Sequence, residues 1–424
     1  EAMAHLASLA RQNRTPADGP WFLGGGSYHH FIPAIIPALT SRGEFLTAYT
    51  PYQPEVSQGT LQALFEYQSM MAELLGMAAV NASHYDGATA LAEAILMARV
   101  VRSGRILVPD TLNPAHTAVV ESYLSGPGGH LERYSGDPRR VLEKTGQAGS
   151  AQAGELSAFV VQWPDFIGQL WELDGLAEQV HAQGGLLILH VDPIMLGIIR
   201  SPGSLGADIV TAEGQALGIP MGFGGPTLGI MACTQALVRR LPGRLVGQAA
   251  DHEGRRGFTL TLSAREQHIR REKAVSNICS NQGLMALSAC IYLASLGPVG
   301  LKQVGQLCRE RAWATAQRIA TIPGYAVPAL AASAGTGQPV FCPHFFKEFL
   351  VTTPIPADRL VAQVRERYGI EAGLPLSRVL DEATWPGCGN QLLVCATEMT
   401  SQEDINRLAD ALAHPAGRTA RTDQ

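Results

Sequence analysis

Lysine is scarce in this chain. Only Lys144, Lys273, Lys302 and Lys347 are present, and the other 28 of the 32 basic residues are arginines. Charge of either sign is scarce too, at 16% of 424 residues against about 25% in ordinary soluble proteins. A net charge of −5 without any basic stripe excludes the phosphate-neutralising surface that a nucleic-acid binder needs. No CxxC pair occurs among Cys233, Cys279, Cys290, Cys308, Cys342, Cys388 and Cys395, so a finger-type zinc site is not expected, and scattered thiols in a long chain read as reduced cytosolic cysteines. No GxGxxG occurs either. Gly24-Gly25-Gly26 and Gly222-Phe223-Gly224-Gly225-Pro226 are glycine-rich, but neither opens a long helix after a strand, as dinucleotide binding requires.

The chain lacks an apolar signal region as well: Glu1–Asn13 has an Ala/Leu helical pattern. It starts without Met, which reads as a truncated N-terminus. Gly283–Leu301 is 19 residues without a charge, near the lower limit for a membrane span. Ser288, Ser295, several alanines and the Gly297-Pro298 stop favour a buried helix packed through small residues, so no membrane is expected as a partner.

What is present is apolar. Hydrophobic residues make up 46% and mean hydropathy is slightly positive, which excludes disorder. So little charge on so long a chain suggests surface covered by other protein, or simply a large core. Residues 15–60 are rich in Pro, Gly and Tyr, and so long an irregular segment inside a compact protein is usually functional. From residue 61 helices alternate with short apolar runs. Leu61–Leu75 has helical spacing with Gly76 as its C-cap, and Ala88–Val101 and Leu173–Gln183 are further helices. Ile106–Val108, Ala158–Val161, Leu186–Val191, Ile209–Thr211 and Leu228–Ala232 have strand length. This alternation predicts an α/β fold with a mostly parallel sheet covered on both faces. After Pro298 come a helix at Leu301–Ile322, a strand at Phe349–Thr352, a helix at Ala357–Tyr368, a strand at Gln391–Ala396 and a last helix. Thr400-Ser401-Gln402-Glu403 supplies a capping-box pattern for that helix. The expected division is residues 1–60 as N-terminal helix and irregular arm, 61–300 as the large α/β domain and 301–424 as a small α+β domain, with a frayed tail from Pro415.

Several groups could carry chemistry. Asp192 follows an apolar strand, where α/β proteins bind ligands, and Asp-Pro is also an ordinary turn opening. Asp86-Gly87-Ala88-Thr89 opens a helix whose free N–H groups could cradle phosphate, or Asp86 could simply cap it. His29-His30 is a poor metal pair, because adjacent side chains diverge. Tyr49-Thr50-Pro51-Tyr52-Gln53-Pro54-Glu55 has a proline-stiffened backbone and polar tips. It could line a pocket or serve as a packed arm. The dense charges of Arg265–Lys273, just ahead of Asn277, fit either a solvated helix or the rim of an interface.

Three long segments resemble one family. They are Thr47–Gly59 (TAYTPYQPEVSQG), Gly218–Pro226 (GIPMGFGGP) and Arg270–Cys279 (RREKAVSNIC). All are similar to glycine decarboxylase, the pyridoxal-phosphate (PLP) protein of the glycine cleavage system, and the likeness runs from about Leu23 to Leu412. The family occurs as one chain of two homologous halves or as two subunits, and this chain resembles the first half. The resemblance implies a fold-type-I PLP-transferase architecture and, for the assembled enzyme, glycine dehydrogenase (aminomethyl-transferring) activity. Glycine is decarboxylated on PLP, and its aminomethyl group passes to the lipoyl arm of the H-protein.

Where the catalytic half has its Schiff-base lysine, this frame reads Glu213-Gly214-Gln215-Ala216-Leu217-Gly218-Ile219-Pro220. A glutamine amide forms no imine. The resemblance therefore implies that the chain holds no covalent cofactor, that a homologous subunit 2 binds PLP in a cytoplasmic, bacterial-type heterotetramer, and that Asp192, Asp86, Gly87 and Thr89 are vestiges of a cofactor site. Tyr49, Tyr52, Gln53 and Glu55 are the residues expected to reach the partner's active site. His29, His30 and Asn277 are lesser candidates. Low charge becomes an expectation of an interface through the arm and helix 283–301. Two other readings stay open: a self-sufficient PLP enzyme using another lysine, and a non-catalytic module that kept the fold.

Overall fold

In the computed structural model, residues 1–126, 130–145, 155–331 and 344–415 are described. Cys342 and the tail beyond residue 415 lie outside them. The chain divides into a large unit, His30–Gln306, and a small unit made of Glu1–His29 with Leu307–Gln424. The expected division is corrected in two ways. Residues 1–60 are not a body of their own, and the later boundary falls at 306/307 rather than 300/301.

The large unit is built on a sheet of β1 (Ala79–Val80), β2 (Arg105–Pro109), β3 (Glu132–Tyr134), β4 (Leu156–Trp163), β5 (Leu186–Val191), β6 (Ile209–Glu213) and β7 (Gly229–Cys233). Their order is β1-β7-β6-β5-β4-β2-β3. β3, β2, β4, β5 and β6 run parallel, while β7 is antiparallel to both β6 and β1. Nearly every residue of β4 and β5 is buried, which is why both are mostly apolar along their length rather than alternating. Helix Gln58–Leu75 ends on left-handed Gly76 (φ 67°), as the sequence pattern indicates. Helix Gly87–Val101 packs across β4 to β7. Ten of its fifteen residues are buried, five of them alanines. Its buried residues fall on every side, as in an interior helix, and include one charged residue, Glu93.

A hairpin of β8 (Leu245–Ala250) and β9 (Arg256–Thr261) has no counterpart in the sequence reading. β8 turns outward halfway along, so its apolar pattern is broken. The charge-free stretch is helical but breaks at Gly297 (φ 58°) and Pro298. By length and composition Gly283–Ala320 could cross a membrane. Its first part buries Ala286, Ala289, Tyr292 and Leu293 and exposes Ala294 and Ser295, so one face packs as expected while the other is open.

In the small unit β10 (Glu348–Thr352) and β11 (Leu374–Pro375) flank β12 (Gln391–Cys395), all antiparallel. The N-terminal segment belongs here because Phe22, fully buried, enters this core. The Phe22 N–H donates to Glu371 O at 2.7 Å, and Phe22 O accepts from Cys395 N–H at 3.0 Å. Losing a buried Phe typically costs about 3–5 kcal/mol, so the segment is firmly held. The last helix starts one residue later than expected. Ser401 is the N-cap and Asp404, not Glu403, closes the capping box, because Thr400 Oγ1 already accepts the Thr397 N–H.

Candidate functional site

Both polar regions of interest lie in the large unit. The first gathers at the strand ends. Asp192 follows β5, and its Oδ1 accepts the N–H of Ile194 at 2.9 Å and of Met195 at 3.2 Å. Gln215, just past β6, is buried. Its side-chain amide donates to Ile219 O at 2.7 Å. Asp86 caps helix Gly87–Val101 through the Thr89 N–H at 2.7 Å, with Thr89 Oγ1 accepting the Asp86 N–H in return.

The helix start is also occupied by a second carboxyl. Glu213 Oε2 accepts the Gly87 N–H at 2.9 Å and lies 3.2 Å from Thr227 Oγ1. Its Oε1 accepts from Gln215 N–H at 2.9 Å and Leu228 N–H at 3.2 Å. Burial pushes the Glu213 carboxyl up to about 7, against the opposing pull of these three N–H groups. A Cβ added to Gly87 would sit 2.8 Å from Glu213 Cβ and 2.9 Å from its backbone nitrogen. Glycine is therefore required at 87 so that the helix end can press against the strand.

His116 and His190 meet edge to face nearby, with ring centroids 5.0 Å apart. Burial pushes His116 down to about 4 and His190 well below the ordinary histidine range, so both are neutral at neutral pH. His190 Nδ1 pairs with Thr211 Oγ1 at 2.9 Å. Glu213, His116 and His190 were not singled out from sequence. His190 sits inside an apolar strand run. Glu213 lies in the frame that drew notice, but for its neighbour Gln215.

The second region is the arm. Tyr49 is 82% exposed and Tyr52 is 55% exposed, and their ring centroids are 6.4 Å apart. Buried Arg244 anchors Tyr52. Its Nη2 donates to the Tyr52 hydroxyl at 3.0 Å, its guanidinium lies 5.3 Å from the ring centre, and its Nη1 donates to Asn281 Oδ1 at 3.1 Å. Tyr49, Thr50 and Pro51 face Ser280, Asn281 and Gln282 across a cavity of about 350 Å³. The arm is thus pinned at Tyr52 and open at Tyr49. Gln53 and Glu55 are exposed on the turn that follows and do not line the cavity. Asn277 is exposed outside it, and Asn281 is the asparagine in the lining. His29 is half-buried in the small unit, where its carbonyl accepts the Thr397 hydroxyl; His30 is buried in the large one. In the charged segment, the Arg265 guanidinium donates to Leu241 O, and residues 268–273 are exposed.

A family model described as the glycine cleavage system P-protein matches residues 1–326. The chain belongs to the glycine cleavage system P-protein family. P-protein relatives named probable glycine dehydrogenase (decarboxylating) subunit 1 include one from Desulforamulus reducens, 46% identical over 97% of this chain and 88% of the relative. Another, from Thermomicrobium roseum, has the same identity and coverage. A crystal structure of glycine decarboxylase (P-protein) in inhibitor-bound form superposes with a TM-score of 0.85 at 42% identity, covering 98% of this chain and 89% of that one. A sphingosine-1-phosphate lyase from Burkholderia pseudomallei, at 15% identity and a TM-score of 0.64 over 98% of this chain and 89% of its own, shares the fold alone. The fold is the fold-type-I PLP-transferase architecture with a smaller C-terminal antiparallel sheet.

Do the P-protein residues at these strand ends fit PLP? They do not. Lys144, Lys273 and Lys302 are exposed, and Lys347 is buried in the small unit with its Nζ 3.4 Å from the Tyr28 ring centre. The buried position at 215 is an amide already bonded to Ile219 O. The helix start that would meet a phosphate is filled by a carboxyl, and Asp192 is bonded to its own turn.

Proposed function

We propose that this chain is the cofactor-free subunit of glycine dehydrogenase (decarboxylating), inactive alone, and that it completes the active site of a homologous, PLP-binding subunit 2. The assembled enzyme decarboxylates glycine and delivers the aminomethyl group to the lipoyl arm of the H-protein, in the cytoplasm. The observation that carries this reading is Gln215, a buried amide where the catalytic half has its lysine. A glutamine has no basic nitrogen to condense with an aldehyde, and its amide hydrogen already bonds Ile219 O. PLP supplies the electron sink for the decarboxylation when bound to the partner.

What this chain offers is the arm. Tyr49 carries a phenol outside the core, held in place by the pinned Tyr52 and the stiff Pro51. Such a group can hold or relay a proton, or exclude water from a neighbouring pocket. Tyr52 is oriented by Arg244 and presents the other edge of its ring. Gln53 and Glu55, on the next turn, offer an amide and a carboxylate to a partner surface. Leu46 and Val56 are also exposed around the arm, which fits coverage by another protein. The partner is the homologous subunit, and the H-protein is a transient visitor.

The test is reconstitution. The chain alone, mixed with equimolar PLP and treated with borohydride, should gain no stoichiometric adduct at a single lysine and should not exchange glycine carboxyl with bicarbonate. Adding subunit 2 should produce exchange that depends on this chain. A stoichiometric adduct confined to one of the four lysines would overturn the assignment. Exchange by subunit 2 alone at the same rate would leave a non-catalytic module.

A further inference from the structure

The misfit of PLP to this chain goes further than a missing lysine. We propose that Glu213 is a built-in occupant of the seat where a phosphate group would otherwise meet helix Gly87–Val101, so that this chain excludes phosphate-bearing cofactors whatever residue stands at 215. This deepens the proposed function: it names the residue that leaves the cofactor to the partner.

The geometry is that of a filled anion site. A helix N-terminus presents free N–H groups and the positive end of the helix dipole. Here one of those groups, Gly87 N–H, is spent on Glu213 Oε2 at 2.9 Å. Two more N–H groups, from Gln215 and Leu228, reach Oε1 from the β6–β7 connection. Thr227 Oγ1 is 3.2 Å from Oε2. Four donors thus converge from two chain segments, the helix start and the β6–β7 connection, on two oxygens of one side chain. Thr89 N–H, another first-turn donor, is taken by Asp86 Oδ1. An incoming phosphate would have to displace one carboxyl and lie against another.

Space gives the same answer. The helix end approaches β6 so closely that no Cβ fits at position 87. With the backbones this close, the space a small anion could take is the space the Glu213 carboxyl fills. Removing that side chain would leave three backbone N–H groups and a hydroxyl without their acceptor, and an unpaired buried donor is costly. A small oxyanion in the vacated volume would satisfy them again.

The experiment uses the whole chain, without its partner. Wild type, Glu213→Ala and Glu213→Gln are melted in chloride, formate and inorganic phosphate at equal ionic strength, and PLP binding is followed by equilibrium dialysis. Glu213→Ala should melt below wild type in chloride and recover part of the loss, saturably, in formate or phosphate. Wild type should show no anion-specific gain and no PLP retention; Glu213→Gln, which fills the seat but has only one accepting oxygen, should melt below wild type in every salt and likewise show no anion-specific gain. If Glu213→Ala does not fold in chloride, recovery of soluble chain on refolding with formate becomes the readout. Equal losses with and without the anion would overturn the proposal. So would a wild type that gains from phosphate as much as the alanine variant does. PLP retained by wild type but not fixed by borohydride would sink the exclusion alone. A stoichiometric adduct confined to one lysine would sink the functional reading instead.

Discussion

The strand ends and the arm are both polar and both belong to the large unit, yet they direct their hydrogen bonds in opposite ways. At the strand ends, Glu213, Asp86 and Asp192 bond backbone N–H groups of their own neighbourhood, and the Gln215 amide bonds Ile219 O. The region is closed on itself. In the arm, Arg244 and Tyr52 form a fixed base, while Tyr49 stands in solvent beside a cavity. The difference is the ground for the proposed role of the arm. A buried group whose bonds are all internal has nothing left for a ligand. An exposed phenol on a stiff backbone keeps its hydroxyl available, and the role proposed for Tyr49 rests on that.

The largest effect that could break this comparison is expected from Gln215→Lys. It puts a cation into a buried site, removes the bond to Ile219 O and leaves the Glu213 seat filled. A loss of roughly 3 kcal/mol is expected, with no imine band after PLP is added. Urea unfolding and the visible spectrum check both, and a borohydride-fixed adduct at 215 would show the strand ends to be open after all.

Arg244→Met tests whether the arm's base is fixed by that one guanidinium. The Tyr52 hydroxyl and Asn281 Oδ1 lose their donor, so about 2 kcal/mol should be lost. Turnover in the complex should fall as Tyr52 loosens. Unchanged stability and unchanged turnover would mean that the arm is held by something else.

Glu93 sharpens the closed side. It lies within helix Gly87–Val101, where Ser276 donates to its Oε1, and burial pushes it from an ordinary 4.5 up to about 7. Between those values the folded chain keeps a proton that the unfolded chain has released. Stability therefore falls as pH rises through that window, and the cost is complete above 7. Glu93→Gln removes it. The variant should exceed wild type by roughly 2 kcal/mol at pH 8 and lose that advantage towards pH 5. Parallel pH profiles of the two melting temperatures would contradict the shifted carboxyl.

Tyr49→Phe is the mildest change. The ring stays and only an exposed hydroxyl goes, so folding and assembly should move by less than about 0.5 kcal/mol. Turnover of the reconstituted enzyme should drop at least about tenfold if the phenol acts on a proton. A turnover equal to wild type would remove Tyr49 from the site.

Much of the frame was legible because its signals are local. Apolar runs in β4 and β5, the Gly76 cap and the Pro298 break each fix their element from a few consecutive residues. The charge-free helix was legible only in part. Its composition indicated burial, but its exposed face depends on what lies beside it. The hairpin of β8 and β9 escaped notice because half of β8 faces outward and lacks a buried face's alternation. Phe22 could not be assigned to the small unit from sequence, since its partners Glu371 and Cys395 lie more than three hundred residues away.

By itself the sequence determined that position 215 has no amine, that lysine is nearly absent and that the arm is stiff and tyrosine-tipped. Those are properties of residue type, and no folding changes them. Only the tertiary structure decided what stands at the start of helix Gly87–Val101. Glu213 is an ordinary carboxylate until β6 carries it to the end of a helix that begins 126 residues earlier. There the unpaired N–H groups of a helix start demand an acceptor, and an internal carboxyl supplies it.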